Sequence, residues 1–144
     1  MTITLIAFDG SENAMRAIDE IVDTMNTSKL HVHLLIVCEP VQINEVVFNE
    51  DPLLDMLSIK KAREEAGLAL LTPAKARLES AGIPFDAHVR TGNPAEVITD
   101  FSREYHCDLI VMGTRGMGTI KNLLLGSVAN KVIHLTEKPL LLVK

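Results

Sequence analysis

Gly113, Gly116, Gly126 and Ser127, in the spacing G-x2-G-x9-G-S, carry the sharpest chemical signal in this chain of 144 residues. Glycines at both ends of such a loop let the main chain come close to a ligand and adopt positive φ, so several N–H groups can turn toward one anion. Ser127 opens a segment that reads as a helix, whose first turn adds unpaired amides and a dipole worth about +0.5 charge. Its hydroxyl can donate as well. This chemistry suits phosphate. Taken singly, Gly113 and Gly116 read as a strand-exit turn and Ser127 as a helix cap; the combination at this spacing is what points to an anion site. A Walker loop is excluded, because no G-x4-G-K-[ST] occurs, and the dinucleotide pattern G-x-G-x-x-G fails at Lys121, where its third glycine would stand.

Such a loop needs a sheet edge to hold it. Ile3 to Phe8 is a short β-rich run stopped by Asp9-Gly10-Ser11, and Ala14, Ala17, Ile18, Ile21, Val22 and Met25 follow at helical spacing. Arg16, Asp19, Glu20 and Asp23 are expected to face water. Leu30 to Val37 reads as a second strand, Leu53 to Ala81 as a long helix that Pro73 kinks or breaks, and the alternating Phe85 to Arg90 as a strand with one wet face at the sheet margin. Asn93-Pro94-Ala95-Glu96 is a capped helix start. Asp108 to Met112 is an apolar strand running into the glycine loop. A last helix over Ser127 to His134, with Val128, Val132 and either Ala129 or Ile133 inward, precedes a closing strand, Leu140 to Val143. The order βαβαβαβαβ predicts an α/β fold: one doubly wound domain over 1–144, a five-stranded parallel sheet in the order 3-2-1-4-5 with helices on both faces. Ligands of such sheets sit beyond the carboxyl ends of the strands, where Asp9 and Gly113 would flank one crevice.

Composition narrows the function classes. A net charge of −5 argues against a sequence-independent nucleic-acid surface, so no nucleic-acid partner is expected, and no stretch reaches the roughly 18 apolar residues of a membrane span. The amino terminus lacks a signal-peptide pattern, so a cytoplasmic location is expected. Cys38 and Cys107 form no C-x-x-C pair and read as small buried hydrophobes, with no metal site signalled. His106, Cys107 and Asp108 cannot converge as a catalytic trio, because neighbours entering a strand point in alternating directions. No catalytic residue is assigned.

The loop resembles the nucleotide loop of the universal stress protein family, whose ATP-binding members carry G-x2-G-x9-G-[ST]. The similarity extends to Ala7-Phe8-Asp9-Gly10-Ser11, Leu34 to Val37, Thr91-Gly92-Asn93-Pro94, Asp108 to Gly113, Leu125 to Ala129 and Lys138 to Val143. It departs from the family pattern mainly between Val41 and Ile59. The resemblance implies ATP as ligand, with Mg2+ as a possible companion. It places Asp9 on the ribose or adenine, the Val37 backbone at the adenine edge, and Met112 and Gly113 beside the nucleoside, with Ala7 in the same opening motif. Gly116, Gly126, Ser127 and the Val128 amide would hold phosphates. Asp9 has a second reading, as an acid satisfying amides at the next helix start, and Arg115 is open between meeting phosphate and being solvated.

The expected function is therefore an ATP-binding stress-response or regulatory module, with at most slow ATP hydrolysis or autophosphorylation. The alternatives are a nucleotide-free scaffold of the same fold and an adenylate-transferring enzyme. Leu140 to Val143 is apolar on both faces yet would lie at a sheet edge, which predicts an antiparallel homodimer through that strand.

Overall fold

The computed structural model describes residues 1–45, 51–116 and 124–144. Met117, Gly118 and Lys121 of the glycine loop lie outside the described residues. The chain forms β1 (Thr2–Ala7), α1 (Glu12–Thr24), β2 (Leu30–Cys38), α2 (Pro52–Leu70), α3 (Thr72–Ser80), β3 (Phe85–Thr91), α4 (Pro94–Glu104), β4 (Leu109–Gly113), α5 (Ser127–Leu135) and β5 (Leu140–Val143). The strands make one parallel sheet in the order β3-β2-β1-β4-β5, as the sequence pattern predicts.

Alternation along each strand divides the core in two. Ile6, Val32, Leu34, Ile36 and Val111 face α1 and α3, where Ile18, Ile21, Leu71 and Leu78 are fully buried. Leu5, Leu35, Ile110 and Met112 face α4 and α5, packed on Ile98, Phe101, Ala129 and Val132. Of the two inward candidates in α5, Ala129 is buried and Ile133 is exposed. No helix among the described residues is long and apolar enough to cross a membrane.

One local feature, the break at Pro73, follows the sequence expectation, and three differ from it. Pro73 stands in the first turn of α3, and the expected long helix is two helices joined at Leu71, whose fully buried side chain anchors the break. Gly113 is the last residue of β4, paired with Val143, rather than the first of a loop. Asp19 is half-buried, because Arg77 donates to it at 2.7 Å from α3. Cys38 is only half-buried, with its thiol 3.6 Å from the Arg63 carbonyl of α2, whereas Cys107 is fully buried as expected. Burial pushes the Cys107 thiol up to about 11.

Candidate functional site

At the carboxyl edge the connections from β1 and β4 leave the sheet and enclose a cleft of about 340 Å³. All ten residues singled out from the sequence line it: Ala7, Asp9, Val37, Met112, Gly113, Arg115, Gly116, Gly126, Ser127 and Val128. The volume falls within the range of roughly 300–1,000 Å³ common for small-molecule pockets.

The strands decide the walls. Ala7 and Met112 are register partners at the ends of β1 and β4, and Val37 ends the apolar run of β2 one strand further out. Their side chains share the sheet face that packs on α4 and α5, so the floor of the cleft is continuous with the core. Asp9 is exposed at the rim. Its Oδ1 accepts from the Ser11 amide at 2.9 Å, so the turn-forming reading holds for one oxygen. Ser11 itself caps α1, accepting from the Ala14 amide at 3.1 Å.

Space, rather than backbone conformation, requires the three glycines. Positive φ among the described glycines occurs at Gly10, Gly82 and Gly92, not at Gly113, Gly116 or Gly126, which corrects the expectation for the loop. A methyl group on Gly116 would sit 2.5 Å from Oδ2 of Asp9, and one on Gly126 would sit 3.2 Å from the Thr114 carbonyl oxygen and 3.8 Å from the Gly116 nitrogen. The far end of the loop is thus folded onto its beginning. The Gly126 amide donates to the Thr114 carbonyl at 2.6 Å and closes it. Gly113 is packed differently: a methyl there would meet Asn13 Cβ at 2.7 Å, so its smallness lets α1 lie on the end of β4.

α5 starts at Ser127, as the sequence pattern predicts. Gly126, not Ser127, holds the cap position, and no side chain caps the helix. Ser127 is exposed in the first turn. The first intrahelical bond of α5 runs from Asn130 to Gly126, which leaves the amides of Ser127, Val128 and Ala129 without intrahelical partners. By contrast α1 and α4 are capped by Ser11 and by Asn93, which accepts from Glu96 at 3.3 Å.

Sequence reasoning did not assign Thr114, Glu39, Pro94 or Ile98 to the cleft, which they also line. Thr114 follows Gly113 within the motif, and Pro94 opens the capped helix, so position alone could have flagged both. Asn13 carried no signal. It is buried, and its Nδ2 donates to Thr114 Oγ1 at 3.4 Å and to the Val143 carbonyl at 3.3 Å, tying α1 to the ends of β4 and β5.

The discounted trio stays dispersed. His106, at φ 50°, is the left-handed residue that ends α4, with the Cys107 amide bonded back to the Ser102 carbonyl at 2.9 Å. Cys107 is buried and Asp108 accepts from the Ile3 amide at 2.8 Å.

Comparison with known proteins agrees with this fold. The model of the universal stress protein family matches residues 1–144. The chain is 30% identical to the universal stress protein YxiE of Bacillus subtilis, over 97% of each chain. It is 37% identical to a universal stress protein of Thermus aquaticus, over 97% of this chain and 96% of that one. Among solved structures, the protein MJ0577 of Methanocaldococcus jannaschii superposes with a TM-score of 0.83 at 29% identity, covering 99% of this chain and 95% of that one. Two structures of the same fold at 22% identity are a universal stress protein in complex with cAMP and an Arabidopsis thaliana family member with AMP bound.

Proposed function

The chain belongs to the universal stress protein family, and on that premise we propose that its cleft binds ATP and that the protein acts as a nucleotide-dependent stress-response or regulatory module. One observation carries the reading: Gly116, Gly126 and the uncapped first turn of α5 line one cleft, and the Gly126 amide closes the loop onto the Thr114 carbonyl. That cradle suits a phosphate chain, since small residues admit its oxygens and the helix amides can donate to them. The apolar floor of Ala7, Val37 and Met112 suits a purine, and fold relatives hold adenine nucleotides. Asp9 and Glu39 line the same cleft, so a triphosphate would be taken with Mg2+ offsetting their charge.

Binding, not turnover, is the proposed activity. Among the described residues that line the cleft there is no histidine, cysteine or lysine to act as a base or nucleophile. Dimerisation is part of the same proposal: β5 ends the sheet with four half-buried apolar residues, and antiparallel pairing with a second copy would cover them. Light scattering should then give twice the 15.8 kDa chain mass.

The direct test is to denature the purified protein and separate the released small molecules by anion exchange, followed by calorimetry of the stripped chain with Mg-ATP. A released adenine nucleotide, or saturable heat near one per chain, is the expected result. Absence of both overturns the proposal in favour of a nucleotide-free scaffold.

A further inference from the structure

Away from the cleft, at the outer edge of the sheet, β2 and β3 carry His31-x-His33 and Asp86-x-His88. Residues two apart on a strand share a face, and the parallel register sets His33 beside Asp86 and Leu35 beside His88. All four polar side chains therefore lie on the α4 side of two adjacent strands. His31 Nε2 is 2.8 Å from Asp86 Oδ2, and His33 Nδ1 is 3.1 Å from His88 Nε2. His31, His33 and Asp86 each offer one ligand atom, and these atoms lie within 4.8 Å of one another.

We propose that His31, His33 and Asp86 form a binding site for a divalent transition-metal ion, best matched by Zn2+, with His88 orienting His33. Two imidazoles and a carboxylate are a donor set that borderline-soft cations favour. Two such atoms bound to tetrahedral Zn2+ at about 2.0–2.1 Å stand roughly 3.4 Å apart, so the side chains need rotate by only about an ångström to close on an ion. The ion takes the place of the proton between His31 and Asp86, which passes to water.

A surface ion pair would account for His31 and Asp86 but not for the two imidazoles behind them. His33 is 8% exposed, and its ring lies 4.8 Å from Tyr105 and 5.8 Å from Phe101, which are themselves stacked at 4.1 Å. An inner ligand set on an aromatic floor and fixed by an outer hydrogen bond is the arrangement of metal centres, and a His33 that donates through Nδ1 to His88 would keep its other ring nitrogen as an acceptor. The side chains of His31 and Asp86 keep 27% and 60% of their surface, so the fourth position opens to solvent and would hold water. No residue of this cluster lines the nucleotide cleft, so the two proposals stand or fall separately.

The test is calorimetry of the full chain, stripped with EDTA, against ZnCl2. One Zn2+ per chain is expected, with at least about tenfold weaker binding in His31→Ala and in Asp86→Asn, and about tenfold in His88→Gln. Both ligand variants are at the exposed margin, and buried His33 is left in place. Co2+ added to the unaltered chain gives a readout that needs no variant: intense visible bands of a four-coordinate ion support the site. Absence of saturable Zn2+ binding, affinity unchanged in both ligand variants because the ion sits elsewhere, or the pale spectrum of six-coordinate Co2+ would each overturn it.

Discussion

The two polar regions of this molecule are made in opposite ways. The cleft is shaped by what is missing: side chains at Gly116 and Gly126 and a cap on α5 are absent, which leaves main-chain donors at the carboxyl edge. The β2–β3 edge is shaped by what is present, four side chains with nitrogen or oxygen donors gathered on one face. A region that works through the backbone tolerates almost no added atoms and little depends on protonation there. One that works through side chains depends on the identity and register of each, and on little else.

Variants that touch one region and spare the other can break that contrast. The largest effect is expected from Gly116→Val, where the new carbon would collide with Asp9. Affinity for Mg-ATP should fall by about a hundredfold or more, roughly 3 kcal/mol, while Zn2+ binding is unchanged; equal loss of both by calorimetry would show a general fold defect. Gly113→Ala should act on stability instead, because its methyl would meet the Asn13 side chain and backbone at 2.7 and 3.0 Å. A loss of about 2 kcal/mol is expected from this overpacking, read as a lower midpoint in urea. A midpoint equal to that of the parent would show that α1 can shift away at no cost.

Two smaller effects probe the scaffold between the regions and should leave both kinds of binding alone. Cys107, on the α4–α5 side, has its thiol raised from 9.0 to about 11 by burial. The folded chain therefore keeps a proton that the unfolded chain loses from the lower value upward. Stability from this group is fully present below pH 9 and is lost as pH rises toward 11, at about 1.4 kcal/mol per pH unit. Cys107→Ala should flatten that alkaline decline in denaturant titrations, and an unchanged slope would assign the decline to other groups. On the other side, Thr4 is fully buried with no hydrogen-bond partner for its hydroxyl among the described residues. Thr4→Val should raise stability by about 1 kcal/mol, and a loss on thermal melting would mean that the hydroxyl is satisfied in solution.

Much of this architecture is legible in the residues themselves. Apolar runs of β length separated by helical periods fix the element order, and the alternation in Phe85 to Arg90 marks an edge strand. The G-x2-G-x9-G-S spacing, together with the residues that end β1, β2 and β4, picks out the lining of one cleft before any coordinates. Other features left no mark in a linear reading. Asn13 looks like any polar residue of a first helical turn, and only the packing of α1 on β4 and β5 turns it inward. The break at Leu71 was open between kink and stop until the burial of that side chain decided it.

By itself, then, the sequence determined the order of elements along the chain, the strand ends at which a ligand would sit and the short-range motif that lines it, because each depends on local periodicity and on spacing within one connection. Tertiary structure decided why the glycines must be glycines, since their constraint is a neighbour's volume rather than their own φ. It also decided that His31 meets Asp86 and that His33 meets His88, each pair 55 residues apart. Those meetings are set by the register of two strands, and a shift of one residue would have turned the set on one strand to the opposite face.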